Sequence, residues 1–230
     1  DAAAIRLQPL PQAPAQLAAE LQEISTRGLN PSLLLTSRFA LNITATALLH
    51  AELPASAYPL YVTGPGLARH AAAVGFTRIH AGKGDAASMT AQVLAAPPVL
   101  SRGPCLYLRA REVAYDVAGT LRRHGLATEE RVLYAARRAE SLPEATAHAL
   151  TEGSLRAVWL QSRKTAAAVE ALTQEAAIPT QQLTAVCGSD AIAQALHPGR
   201  WAARVVAESP GFHAMEEALK QRLASLHASG

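Results

Sequence analysis

LLLTSRFALNITATALL, residues 33–49, and AVWLQSRKTAAAVEAL, residues 157–172, are two versions of one plan. Each reads as an apolar strand, a polar residue, Ser-Arg, and then an alanine-rich helix. The next element repeats as well: VTGPGLARH (62–70) matches VCGSDAIAQ (186–194), both a strand, a glycine turn and a helix of small residues. Ser37 to Gly64 spans 27 positions and Ser162 to Gly188 spans 26. Two matched landmarks at almost equal spacing indicate a duplicated unit. The continuous apolar run at 33–35 suits a strand buried on both faces of a parallel sheet.

Outward from these segments the alternation continues in both directions. Strands are expected at 5–10, 33–36, 60–63, 77–80, 105–108, 155–160, 183–187 and 203–207. Helices are expected at 15–27, 38–49, 67–74, 85–96, 112–124, 164–174, 191–196 and 211–227. Another, begun by a Ser141/Glu144 capping box, runs to 152. Strand alternating with helix means an α/β fold with crossover helices. ATEERVLYAARRAE (127–140) has a short apolar middle between charged ends, Glu129, Glu130 and Arg131 before and Arg137 and Arg138 after. It reads as an extended connector with solvated flanks or as an ordinary edge strand, and the repeat on either side favours the connector. The expected organisation is two similar parallel-sheet α/β domains, 11–126 and 139–230. They are joined by a two-stranded connector, 5–10 with 127–138, and a cleft lies between them.

Composition removes several function classes. Half of the 230 residues are apolar, enough for a substantial core, but only 4% are aromatic, which leaves few platforms for stacking bases. The formal charge is +3 with the basic residues scattered, so the footprint of a nucleic-acid binder is missing. Cys105 and Cys187 sit inside apolar strand-like runs and read as buried, reduced thiols. The eight histidines form no metal-ligand spacing, and no metal is expected. No apolar run reaches membrane-span length, and no signal peptide is read before Asp1. A soluble, cytoplasmic protein is expected.

The turns carry the chemistry. In an open parallel sheet the carboxyl ends of the strands form the ligand crevice. A helix starting there aims free N–H groups and its positive dipole end into that crevice. Ser37, Gly64, Ser162, Gly188 and Ser189 fall at such positions, with side chains small enough for a carboxylate or phosphate to approach the backbone. Small polar residues at these turns are also ordinary N-caps. As four turns arranged in two matched pairs, they favour a binding cleft. None belongs to a GxGxxG or Walker loop, so no nucleotide cofactor is indicated.

This ordered set resembles the uroporphyrinogen-III synthase family. The resemblance rests on LLLTSRFAL, YVTGPGLARHAAAVGF, the CLYLRA strand with its following helix, RVLYAARR, VWLQSRKTA and AESPGFHAMEEAL, in that order. HAGKGDAASM and CGSDAIA look most like alphaproteobacterial members. Two departures stand out. The family's opening strand–helix unit, ahead of the part matched by IRLQPL, has no counterpart here. Leu67 and Ala191 also stand where many members carry a threonine in the glycine turns.

The resemblance implies a cofactor-free enzyme that closes hydroxymethylbilane, a linear tetrapyrrole with an acetate and a propionate on each ring. Its terminal hydroxyl leaves as water, giving an azafulvene cation. Ring D attacks through its substituted carbon, and the spiro intermediate fragments and recloses with that ring inverted. Folding the chain correctly excludes simple head-to-tail closure to the type I isomer. Tyr134 matches the family tyrosine and is implied to help the hydroxyl leave, since a phenol with an ordinary pKa of about 10 is a protonated donor at neutral pH. It also fits a half-buried strand aromatic. Substrate binding is implied for Thr36, Ser37, Arg38, Gly64, Pro65, Gly66, Arg109, Ser162, Arg163, Gly188 and Ser189. The resemblance further implies a monomer with no nucleic-acid or membrane partner. A non-catalytic two-domain binding protein of the same fold, for an anionic tetrapyrrole or other small ligand, is the alternative reading.

Overall fold

Strand and helix alternate through the computed structural model, which describes residues 4–95, 103–209 and 211–227. In order, the elements are β1 (Ile5–Pro9), α1 (Ala13–Thr26), β2 (Ser32–Leu35), α2 (Arg38–His50), β3 (Leu60–Val62), α3 (Pro65–Ala73), β4 (Ile79–Ala81) and α4 (Ala86–Ala95). They continue with β5 (Cys105–Ala110), α5 (Val117–Arg123), β6 (Thr128–Arg138), α6 (Glu144–Thr151), β7 (Ala157–Leu160) and α7 (Arg163–Glu175). The last four are β8 (Thr184–Cys187), α8 (Asp190–Ala193), β9 (Ala203–Val206) and α9 (Phe212–His227). The expected end of the fourth helix at Ala96 lies outside the described residues. The chain divides into two compact units, Leu7–Ala136 and a second built from Asp1–Arg6 with Arg137–Gly230.

In the first unit the leucine run sits at the centre. The strand order is β1-β6-β5-β2-β3-β4, with β5 and β3 flanking β2 in parallel. Leu33 and Leu35 pack with Leu17, Leu21, Leu41 and Leu48 of α1 and α2, whereas Leu34 faces Met89, Val93 and Leu121 of α4 and α5. Successive side chains of a strand point to opposite faces, so a strand covered on both sides must be apolar at every position. Each such fully buried leucine contributes about 1.5–3 kcal/mol. The outer strand β1 runs against β6: Leu10 N–H donates to the Leu133 carbonyl, and Ala139 N–H donates to the Ala4 carbonyl.

The second unit has the parallel sheet β7-β8-β9. Leu160, Ala185 and Cys187 pack with α6, α7 and α8, and Val186 turns to Met215 of α9. The first landmark of the sequence repeat is reproduced closely, whereas the second is not: α3 has 9 residues after a Gly64 cap and α8 has 4 after a Ser189 cap. Ser37 caps α2 with φ −147° and ψ 151°, and Ser162 caps α7 with φ −147° and ψ 149°. Each helix has 13 residues.

Several local expectations change. The segment expected as the start of a helix at Glu112 is a loop up to Asp116, whose carboxylate accepts from the Gly119 N–H at 2.8 Å and so starts α5 at Val117. An aspartate there serves better as a cap than inside a helix. The Ser141/Glu144 capping box does not form. Helix α6 begins after Pro143 with no side-chain cap, because the residue before a proline is pushed out of the helical region. Helix α8 is a single turn that ends in tighter i→i+3 bonds, Ala195 to Ile192 and Leu196 to Ala193, ahead of Pro198.

The charges at the start of β6 are paired with neighbouring elements while remaining partly solvated. Arg131 donates to Glu20 of α1 (2.5 and 2.7 Å) and to Glu129 (2.6 Å), while Glu130 accepts from Arg109 (2.8 Å) and Arg122 (3.1 Å). These half-exposed pairs orient β6 against its neighbours more than they stabilise it. From Thr128 to Tyr134 the strand pairs with β5, as a member of the first unit's sheet.

Candidate active site

Parallel strands place all their carboxyl ends on one side, and in the first unit β2, β3 and β5 end around a cleft of about 500 Å³, which β6 reaches with Tyr134 partway along its length. Thr36, Ser37, Thr63, Asp85, Tyr107, Glu112, Val113, Tyr115 and Tyr134 are among its lining residues. A groove of about 560 Å³ in the second unit is walled by Leu150, Leu155, Trp159, Phe212 and other residues, none titratable. Acid–base chemistry therefore points to the first cleft.

Tyr134 owes its aim to a bulge. Arg109 of β5 pairs with Val132 but Ala110 pairs with Tyr134, so Leu133 is an extra residue in β6. Strict alternation would send Leu133 and Tyr134 to opposite faces, yet both join the same core cluster. A bulge re-aims a side chain in this way. Tyr134 is only 6% exposed, its ring meets Phe39 edge-on at 4.9 Å, and its O–H donates to Ser37 Oγ at 2.8 Å. Ser37 Oγ also accepts the Ala40 N–H at 3.1 Å, as the cap of α2. Beside it, Thr36 hydrogen-bonds the buried phenol of Tyr107, whose pKa burial raises above the ordinary tyrosine value. Two neighbouring residues following β2 thus each hold a tyrosine, Tyr107 from the adjacent strand β5 and Tyr134 from β6 beyond it.

A glycine interlock builds the opposite wall. Gly82 N–H donates to the Val62 carbonyl at 2.8 Å and Gly84 N–H to the Thr63 carbonyl at 2.7 Å. A Cβ on Gly64 would lie 3.0 Å from the Gly84 Cα, so Gly64 is needed for the approach of this loop. Asp85 caps α4 through the Ser88 N–H, and hydrogen bonds from Ser88 hold its carboxyl below the usual range. The cleft rim is therefore anionic at that point.

The remaining sequence candidates fall into three situations. Arg38 is exposed on the first turn of α2, and Pro65 and Gly66 are exposed at the start of α3, where helix geometry leaves N–H groups without intrahelical partners. Arg109 is engaged within the protein, donating to Glu130 (2.8 Å) and to the carbonyls of Ala110 and Arg111 (both 2.9 Å). In the second unit Ser162 and Arg163 are exposed at the start of α7, and Ser162 Oγ accepts the Thr165 N–H at 3.0 Å. Arg163 and Lys164 line a depression together with Ala167, Ala191, Gln194 and Ala195. Gly188 and Ser189 are half-buried, but the Gly188 N–H already donates to the Leu160 carbonyl at 3.1 Å. A Cβ on Gly188 would make only ordinary contacts at 3.7 Å or more, unlike one on Gly64. Among the described residues, no cluster of His, Cys, Asp and Glu could hold a metal ion, and no helix is long and apolar enough to cross a membrane.

The family model for uroporphyrinogen-III synthase HemD matches residues 2–217. The chain belongs to the uroporphyrinogen-III synthase family. Its activity is that of the family, a lyase of heme biosynthesis, and no observation favours the non-catalytic alternative. In fold the chain is similar to uroporphyrinogen-III synthetase from Helicobacter pylori 26695, at 19% identity over 95% of this chain and 90% of that one, with a TM-score of 0.59. It is also similar to a mutant uroporphyrinogen III synthase from the extremely thermophilic bacterium Thermus thermophilus, at 17% identity over 96% of this chain and 88% of that one, with a TM-score of 0.52. No curated protein sequence matches it.

Sequence reasoning on this synthase missed Thr63, Tyr107 and the 112–115 wall. CLYL reads as buried strand, and only its place beside Thr36 gives Tyr107 a polar task. The wall was hidden by the expected helix at 112, although Asp116 was a visible cap.

Proposed function

We propose that hydroxymethylbilane is closed to uroporphyrinogen III in the first unit's cleft, with Tyr134 as the source of the proton that lets the terminal hydroxyl leave as water. The observation that carries this reading is the Tyr134 O–H donating to Ser37 Oγ at 2.8 Å, between two residues that line the cleft. The pyrrole nitrogens supply the electron push, so the chemistry asked of the protein is a proton donor and a mould.

The substrate's carboxylates suit the helix starts at Ser37–Arg38 and Gly64–Gly66, where N–H groups and the dipole end favour negative charge. Thr36 closes that group through its tie to Tyr107. Ser162, Arg163, Gly188 and Ser189 carry the same proposal within their own unit, with Arg163 the strongest of them because it is exposed. Arg109 acts here through Glu130 and the start of the 111–116 loop. We further propose a cytoplasmic monomer with no nucleic-acid partner.

Arg38→Ala and Arg163→Ala test the carboxylate contacts. A hydrogen bond to a charged group is worth roughly 1.5–3 kcal/mol, so each change is expected to raise KM about tenfold or more with kcat nearly unchanged. Steady-state kinetics with hydroxymethylbilane reads this directly. KM values equal to wild type for both variants would remove the arginines from the binding site.

A further inference from the structure

We propose that Ser37, and not Tyr134, makes the direct contact with the departing hydroxyl, and that Tyr134 acts through it. The inference rests on the function proposed above and refines the order of its proton transfers. Tyr134 is 6% exposed and its hydroxyl proton is committed to Ser37 Oγ at 2.8 Å. Ser37 is half-buried and lines the cleft. A serine hydroxyl has two acceptor sites and one donor. The Ala40 N–H at 3.1 Å and the Tyr134 O–H fill both acceptor sites. The Ser37 proton is left as the one hydroxyl proton of this pair free to point into the cleft. Accepting two hydrogen bonds polarises Ser37 and strengthens it as a donor.

In the resulting step Ser37 Oγ gives its proton to the substrate hydroxyl as the C–O bond breaks. The bonding electron pair leaves on oxygen and water departs. Tyr134 replaces the proton on Ser37 and becomes a phenolate, a counter-ion for the azafulvene cation. When ring D recloses through its unsubstituted carbon, the hydrogen on that carbon leaves as a proton and returns to Tyr134 by way of Ser37. Protons balance and no electron is gained or lost overall. Ser37 is then the catalytic residue, and Tyr134 positions and recharges it.

Single-turnover formation of type III product separates this relay from two independent roles. The set is wild type, Ser37→Gly, Ser37→Thr, Tyr134→Phe and the double variant Ser37→Gly/Tyr134→Phe. Glycine is itself a tolerated N-cap, so Ser37→Gly removes the hydroxyl with little damage to α2. Ser37→Gly and Tyr134→Phe are each expected to lose about 10²-fold, and Ser37→Thr to recover most of the rate. Because the two groups act as a unit, the double variant should be no more than about twofold slower than the worse single. Rates in mixtures of light and heavy water should curve for wild type, with two protons moving, and run straight for Tyr134→Phe. Losses that multiply to about 10⁴-fold, a Ser37→Gly rate equal to wild type, or identical isotope profiles would overturn the relay while leaving the synthase reading intact. Absence of type III product from the wild type itself would instead strike the synthase reading.

Discussion

Tyr134→Phe is expected to lower kcat/KM for uroporphyrinogen III formation by about 10²-fold, the range typical of a lost proton donor. The substitution removes one hydroxyl and keeps the ring, so the edge contact with Phe39 and the burial in the core cluster survive. Ser37 still caps Ala40. Stability should fall by no more than about 1 kcal/mol, the usual worth of one hydrogen bond. Initial rates read by chromatography, paired with thermal unfolding, check both halves. A variant within twofold of wild type would reduce Tyr134 to packing, and catalysis would then rest on how the cleft folds the substrate.

Gly82→Ala is expected to cost roughly 1–3 kcal/mol, the range for overpacking a tight site, and most of the activity with it. A Cβ there would lie 2.8 Å from the Met89 nitrogen and 2.9 Å from the Thr63 carbonyl oxygen, both backbone atoms that yield only if elements move. The element pushed is α4, whose leading loop carries Gly84 and Asp85 into the cleft wall. The same movement strains the Gly84 to Thr63 hydrogen bond of 2.7 Å. Gly66→Ala is the contrasting variant: its Cβ would meet nothing within 4 Å, so the fold should hold. Equal denaturation midpoints for Gly82→Ala and wild type would show that the interlock is softer than its distances imply.

Features that depend on neighbours in sequence were legible before the structure. The leucine run demanded a central strand, and Ser37 and Ser162 sat where an apolar run gives way to a helical pattern. Both prove to be caps with nearly equal backbone angles. Features that depend on distant strands were not legible. The bulge at Leu133 arises from pairing with β5, and without it Tyr134 would not reach Ser37. Nothing near Arg109 in sequence shows its pairing, because its partner, Glu130, lies on another strand. The helix expected from 112 starts instead at Val117 for a local reason, the cap at Asp116. The absence of a side chain at Gly64 makes room for Gly84, a need that the sequence around it does not reveal.

The measurement that tests the central claim most directly is the isomer made by the wild-type protein. Hydroxymethylbilane is supplied, the products are oxidised to porphyrins, and types III and I are separated by chromatography. The cleft described here, with its proton donor and its mould for a folded bilane, predicts type III in clear excess over the type I formed by spontaneous closure. A product that is type I alone, at the rate of closure without protein, would contradict it.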